Sequence, residues 1–241
     1  SSGAFELRSP GLFVSPWRDE FDASRMMLVD LFESLDVKGT PVVVAAANDT
    51  LFVTGSNDPE GLVALARAAE AAMAQNNAQS GVAFILNQGV WQAWLPPREH
   101  PAWEKLKILA LETYGAAQAR QKQLLEMQLQ QSNVDARVPM MRAFKTQSGD
   151  IVTAIAWIEG IPALLPRVDR IDFVRPSTSG KAEDAKIWST RFELAESMLS
   201  ELMQPIGEFP ERFLVQAFPS DEQLEKLASE GGLIDEPPNR S

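Results

Sequence analysis

Between Phe21 and Leu95 the apolar positions change period repeatedly, and each change marks an element. In FDASRMMLVDLFESL, Met26, Met27, Leu31 and Leu35 recur at helical spacing, with Leu28 and Phe32 widening the stripe, so the pattern predicts a helix over 21–35. Gly39 and Pro41 end it. Val42 to Ala47 is almost continuously apolar, the signature of a strand buried on both faces. Asn48-Asp49 supplies turn chemistry, which predicts an antiparallel partner at Leu51 to Thr54. Asp58 is a good N-cap and Pro59 suits the first helical position. The helix they open is expected to run to about Gln75, with Leu62, Leu65, Ala69 and Met73 on one face. A second hairpin, Val82 to Leu86 with Val90 to Leu95, turns at Asn87-Gln88-Gly89 and is closed by Pro96 and Pro97.

The longest helical pattern runs from Pro101 to Ser132, with Trp103, Leu106, Ala110, Tyr114, Ala117 and Leu124 near one stripe. Its second half, QARQKQLLEMQLQQS, is glutamine-rich and reads as a solvated face or a partner surface. At ~1.5 Å per residue the segment extends about 48 Å, so its distal end needs another surface, from this chain or from a partner. The runs VPMMRAFKT, DIVTAIAWI, IPALL and RIDFV are separated by short turns, which predicts an antiparallel meander. Residues 176–184 read as a loop, 187–203 as a helix, ERFLVQAF as a strand, and Ser220 as the cap of a short helix. The fold class expected is α+β: largely antiparallel sheets with helices packed on their faces. The segments are 1–100, a connecting helix 101–132, a second sheet-and-helix part 133–230, and a tail 231–241.

Composition narrows function by exclusion. The chain has 241 residues, 45% of them hydrophobic, and a formal charge of −11, which opposes general binding to phosphate backbones. No apolar run approaches the ~20 residues that span a bilayer, and the start lacks the charged and apolar regions of a signal peptide. No membrane and no nucleic-acid partner is expected. The absence of Cys removes thiolate chemistry and Cys-ligated zinc, and it fits a reducing cytoplasm. His100 is the single histidine, so any Ser-His-acid or multi-histidine site would have to be built around it. Its place before Pro101 argues for a structural position near a helix N-cap. No GxxxxGK, GxGxxG, HExxH or GxSxG motif is present; no cofactor, no metal and no catalytic residue is assigned.

A few polar residues are left over once the folding signals are accounted for. Asp22 can cap the 21–35 helix. That leaves Arg25 in the first turn, where the helix dipole disfavours a positive charge, so Arg25 needs an acid such as Asp22 or an anionic ligand. In LLPRVDRIDFV, strand alternation places Arg167, Asp169, Ile171 and Phe173 on one face, and Val168, Arg170, Asp172 and Val174 on the other. Asp169 and Asp172 are thereby separated. If Ile171 and Phe173 face the core, Asp169 needs Arg167 or a hydrogen-bond donor. Trp91, Trp94 and Trp103 surround Arg98 and His100, aromatics and polar groups that can line a pocket, although Trp91 and Trp94 point to opposite sides of a strand.

FDASR followed by MMLVDLFESL, then PVVVAAANDTLFVTG and GVAFILNQGVWQAWL, resembles the C-terminal part of the uncharacterised bacterial YtpQ-like proteins, over residues 21–95 only. The resemblance implies a bacterial cytosolic α+β protein and carries over no catalytic residue. The functional expectation is a non-enzymatic binding or protein-interaction module. The alternative is a hydrolase or transferase using Asp22, Arg25, Arg167 and Asp169. A homo-oligomer or protein contact is expected through the 101–132 helix.

Overall fold

The apolar run at 42–47 forms a strand that disappears from solvent on both sides, and the first part of the molecule is organised around it. The computed structural model describes residues 5–179 and 181–231 and divides into two compact units, 1–113 and 114–241. In the first unit, β3 (Pro41–Ala47) pairs with β4 (Thr50–Gly55) on one side and β5 (Ala83–Asn87) on the other, both antiparallel. With β1 (Glu6–Ser9), β2 (Leu12–Val14) and β6 (Val90–Ala93) they make a six-stranded sheet ordered β1-β2-β4-β3-β5-β6. Val42, Val44 and Ala46 face α2 (Pro59–Met73) and the start of α3 (Trp103–Gln131), where Leu62, Leu65, Leu106 and Leu109 pack. Val43 and Ala45 face a second layer built from Phe5, Phe32 and the partly buried Met26, Leu31 and Leu35. As expected, Asp58 caps α2, its carboxylate accepting from the Gly61 amide at 3.0 Å. Gly61 permits a close approach at that point: a Cβ there would lie 2.2 Å from the Thr54 hydroxyl.

The predicted helix over 21–35 is not continuous. The chain makes a 3-10 helix at Ala23–Met27 and one α-turn, α1 (Asp30–Glu33), separated by a break at Leu28. Met26, Val29, Leu31, Phe32 and Leu35 of this stretch pack against the face of β3 that carries Val43 and Ala45, while Met27 and Leu28 at the break point outward. Asp22 makes no side-chain capping bond, because its carboxylate is engaged elsewhere.

In the second unit β7 (Arg142–Lys145), β8 (Ile151–Ile158), β10 (Arg170–Arg175) and β11 (Lys186–Arg191) form a sheet ordered β11-β10-β8-β7. The antiparallel meander expected here is corrected in one respect: β8 and β10 run parallel. The intervening β9 (Ala163–Pro166) leaves to pair with β13 (Arg212–Val215), which in turn pairs with β12 (Gln204–Pro205). The helix expected at 187–203 is also corrected. Residues 186–191 are strand, and only Phe192–Met198 (α4) is helical. The loop at 176–184 carries a 3-10 turn at Ala182–Asp184, while Gly180 and the tail beyond Gly231 lie outside the described residues. Ser220 opens α5 (Asp221–Glu230) with a reciprocal capping box to Gln223. The main core joins Ile155, Trp157, Ile171 and Phe173 of the sheet to Phe192 and Leu199, and to Leu224 and Leu227 of α5.

The distal part of α3 is covered by its own unit. Leu125 is buried with Val138 and Leu164, and Leu129 packs beside them, whereas Leu124, expected on the inner stripe, is 59% exposed. Residues 138–164 thus supply much of the surface that the helix needs. Leu125→Ala is expected to cost the second unit about 2–5 kcal/mol and Leu124→Ala less than about 0.5 kcal/mol. Denaturant unfolding followed by circular dichroism checks this; equal losses for the two variants would show that the packing is wrong.

Candidate functional site

Asp22 lies in the wall of the first unit. Fully buried beside an equally buried Ser15, it accepts from the Ser15 hydroxyl at 2.6 Å, the Arg18 amide at 3.1 Å and Arg25 Nη1 at 2.9 Å. Ser15 Oγ in turn accepts from the Leu51 amide at 3.0 Å, which ties the 15–25 segment to β4. Arg25 reaches outward to Asp19 through a bidentate pair at 2.6 and 2.7 Å and stacks over Trp17, 4.4 Å from the ring centroid. The expectation that Arg25 has an intramolecular acid is met twice over, by Asp22 and Asp19. Its guanidinium hydrogen bond holds the Asp19 carboxyl well below the usual carboxylate range, and Asp19 raises Arg25.

Of the two partners open to Asp169, Arg167 or a hydrogen-bond donor, the structure shows a donor. Arg167 pairs with Glu196 at 2.6 Å and with Glu211, and its guanidinium lies over Phe192 and Phe213 at 5.5 and 5.3 Å. Asp169 is exposed and finds a hydrogen-bond donor instead: its Oδ2 accepts from the Thr153 amide at 2.8 Å and hydroxyl at 2.7 Å, and its own amide donates back to Thr153 Oγ1. This reciprocal clasp joins β8 to the residue preceding β10. Asp169 also lines an open concavity of about 330 Å³ with Asp150, Arg191 and Glu193. Asp172 turns the other way, as alternation predicts, and is held by Arg170 Nε at 2.6 Å and the Ser189 hydroxyl at 2.7 Å.

Trp91 and Trp94, expected on opposite sides of a strand, lie in different clusters. Trp91 packs edge-on to Phe32 at 5.0 Å and donates to the Met26 carbonyl, whereas Trp94 packs in the cluster on the α2 side of the sheet. His100 Nδ1 accepts from the Ala102 amide at 3.1 Å, so the histidine caps the entry to α3, the structural position its sequence context suggests. Arg98 is exposed. Among the described residues no group of three or more His, Asp or Glu side chains converges to hold a metal ion, and no helix is long and apolar enough to cross a membrane.

Sequence reasoning missed one fully buried charge. Arg212 is 0% exposed, and among the described residues its acceptors are neutral: Gln121 Oε1 at 2.7 Å, the Pro139 carbonyl at 2.9 Å and the Leu164 carbonyl at 2.8 Å. Burial pulls its pKa down to about 10, so it stays charged at neutral pH. The signal was available in ERFLVQAF, where alternation puts Arg212 on the face of Leu214 and opposite Phe213 and Val215. It was obscured by reading QARQKQLLEMQLQQS as solvated, since Gln118 and Gln121 are in fact buried.

The Asp19 shift has a definite pH consequence. A carboxylate whose folded pKa lies below its unfolded value of about 3.9 contributes stability that is complete above that value and drains away as pH falls toward the folded pKa. Wild type is therefore expected to lose thermal stability below about pH 4 more steeply than Asp19→Asn. Superimposable acid limbs in calorimetry would reject the pair. Asp22→Ala, which strands Ser15 and the Arg18 amide, is expected to cost about 2–4 kcal/mol at pH 7.

No protein-family model matches the chain, and comparison with curated proteins and with solved structures returns no match.

Proposed function

We propose that this is a non-enzymatic binding protein of the bacterial cytoplasm, akin to the YtpQ-like proteins over residues 21–95, that engages a protein partner through the stretch Phe21–Leu28. The observation that carries this reading is exposure on an anchored segment. Phe21, Met27 and Leu28 are 66, 80 and 55% exposed, yet the segment bearing them is tied down by the buried Asp22 and by the Trp91–Met26 hydrogen bond. Large apolar side chains presented to water from an anchored segment are a feature of recognition surfaces. Leu124 and Met127 on α3 provide a second exposed apolar pair, which supports the expected association through the 101–132 helix, whereas Leu125 and Leu129 pack inward.

The arginines and acids singled out for chemistry support the same reading, since Asp22, Arg25 and Arg167 are committed to one another or to neighbouring side chains. A hydrolase or transferase remains the second reading. The concavity that Asp169 shares with Asp150 and Arg191 favours it.

A photo-crosslinking residue at Met27, used in cells, is expected to trap a defined protein, with the adduct lost in Leu28→Glu and kept in Asp169→Asn. Turnover of ester or phosphoester substrates by purified protein, abolished by Asp169→Asn and indifferent to Leu28→Glu, would establish the enzymatic reading instead.

A further inference from the structure

We propose that the open edge of β6 pairs antiparallel with β6 of a second copy of this chain, so that two copies of the first sheet become one. The pairing goes beyond the reading of Phe21–Leu28 as a recognition surface and does not depend on it. In the six-stranded sheet β6 stands at one end, and its single strand neighbour is β5. The Trp94 amide donates to the Ala83 carbonyl at 2.8 Å. Antiparallel pairs alternate between bonded and unbonded, so Gln92 and Val90 are the residues of β6 that bond inward to Ile85 and Asn87. Trp91 and Ala93 therefore turn their amide and carbonyl groups outward. Among the described residues these groups have no backbone partner.

The character of this edge points to a copy of itself as the occupant. Val90, Trp91, Gln92 and Ala93 include no charge and no proline. The outer strands elsewhere are guarded in the usual way: β1 carries Glu6 and Arg8, β7 carries Arg142 and Lys145, β11 carries Lys186 and Arg191, and β12 contains Pro205. The edge of β9 is already bridged to Arg137. A two-fold axis sets a residue against its own image, where a charge would repel itself, so an uncharged edge is what self-pairing requires. Register follows from the outward groups. Setting Trp91 opposite Ala93 of the second copy, and Ala93 opposite its Trp91, makes four main-chain hydrogen bonds and leaves Gln92 on the axis. Glutamine suits that place because its amide both donates and accepts. Within one chain Gln92 Oε1 meets the Asn87 amide at 3.5 Å, and among the described residues its own NH2 group has no acceptor. On the same face Val90, 59% exposed, comes opposite Trp94 of the second copy, a β-branched and aromatic pair that withdraws the valine from water. The turn at Gly89 and the prolines Pro96 and Pro97 bound the edge and limit slippage.

The chain has no cysteine, so a single thiol reports the register. Gln92→Cys in the full chain, under mild oxidation, is expected to give a disulfide-linked dimer, since opposed residues of an unbonded antiparallel pair lie within disulfide reach. Val90→Cys, ~13 Å along the strand from its own image, is expected not to link. With so short a seam the wild-type dimer is expected to be concentration-dependent in light scattering. Gln92→Lys and Gln92→Glu are each expected to lose it and to regain a mixed dimer when combined, a gain that misfolding cannot mimic. Leu28→Glu, and Leu124→Glu with Met127→Glu, are expected to leave it intact, which separates this edge from Phe21–Leu28 and from α3. A wild type that stays monomeric at every concentration, a dimer dispersed by the Leu28 or α3 variants but not by Gln92→Lys, or a Gln92→Cys thiol that links to another protein in place of its own copy would each overturn the pairing.

Discussion

A strand with both faces buried has to be covered twice, and each unit contains at least one. In the first unit β3 alternates Val42, Val44 and Ala46 toward the helices with Val43 and Ala45 toward the opposite layer. In the second, β9 sends Ala163 and Leu165 into the main core and Leu164 into the smaller cluster with Leu125 and Val138. Covering one face is simple, because an amphipathic helix or a sheet partner does it. The second face is covered by irregular chain in the first unit and by the end of a long helix in the second. Most departures from regular structure trace to this requirement.

The same requirement explains where the buried polar groups lie. Irregular chain over a dry layer leaves backbone donors and acceptors outside the regular ladders, and these must be satisfied by side chains. Ser15 and Asp22 meet that need under the 15–35 segment, and Arg212 does so where Pro139 and Leu164 present carbonyls beside α3. Among the described residues Arg212 has no carboxylate partner. Its charge is distributed over carbonyl dipoles, an arrangement that specifies the positions of three segments more strictly than apolar packing would, at the cost of desolvating a guanidinium.

Strand β3 was legible because an uninterrupted apolar run bounded by Pro41 and a polar turn has few alternative readings. Asp58-Pro59 and Ser220 were legible because cap chemistry is local. The 21–35 segment was misread because its apolar spacing suits a helix equally well as two turns laid on a sheet, and only the distant Ser15 decides what Asp22 does. Residues 187–191 were misread for the opposite reason. Ile187, Trp188 and Thr190 have the side chains of a strand, but the helical periodicity of Phe192, Leu199 and Leu202 was extended backward over them. The partners of the candidate residues, Asp19, Thr153, Glu196 and Glu211, lie outside the motifs that drew attention to them, which spacing does not reveal.

The excursion of β9 has a consequence for the order in which this chain can fold. In the first unit β1–β2, β3–β4 and β5–β6 are hairpins between neighbours, so much of the sheet can form as soon as each pair has left the ribosome. In the second unit β7–β8 and β12–β13 are likewise neighbours, but β9 is placed differently. Leu164 and Leu165 pair with Leu214 and Phe213, which are made far later, so until then β9 has only its bridge to Arg137 and the contact of Leu164 with Leu125 and Val138, and Leu165 waits for its cover. The short length of β9 and the Pro162 and Pro166 that bracket it limit the hazard, because a proline cannot donate to an intruding strand.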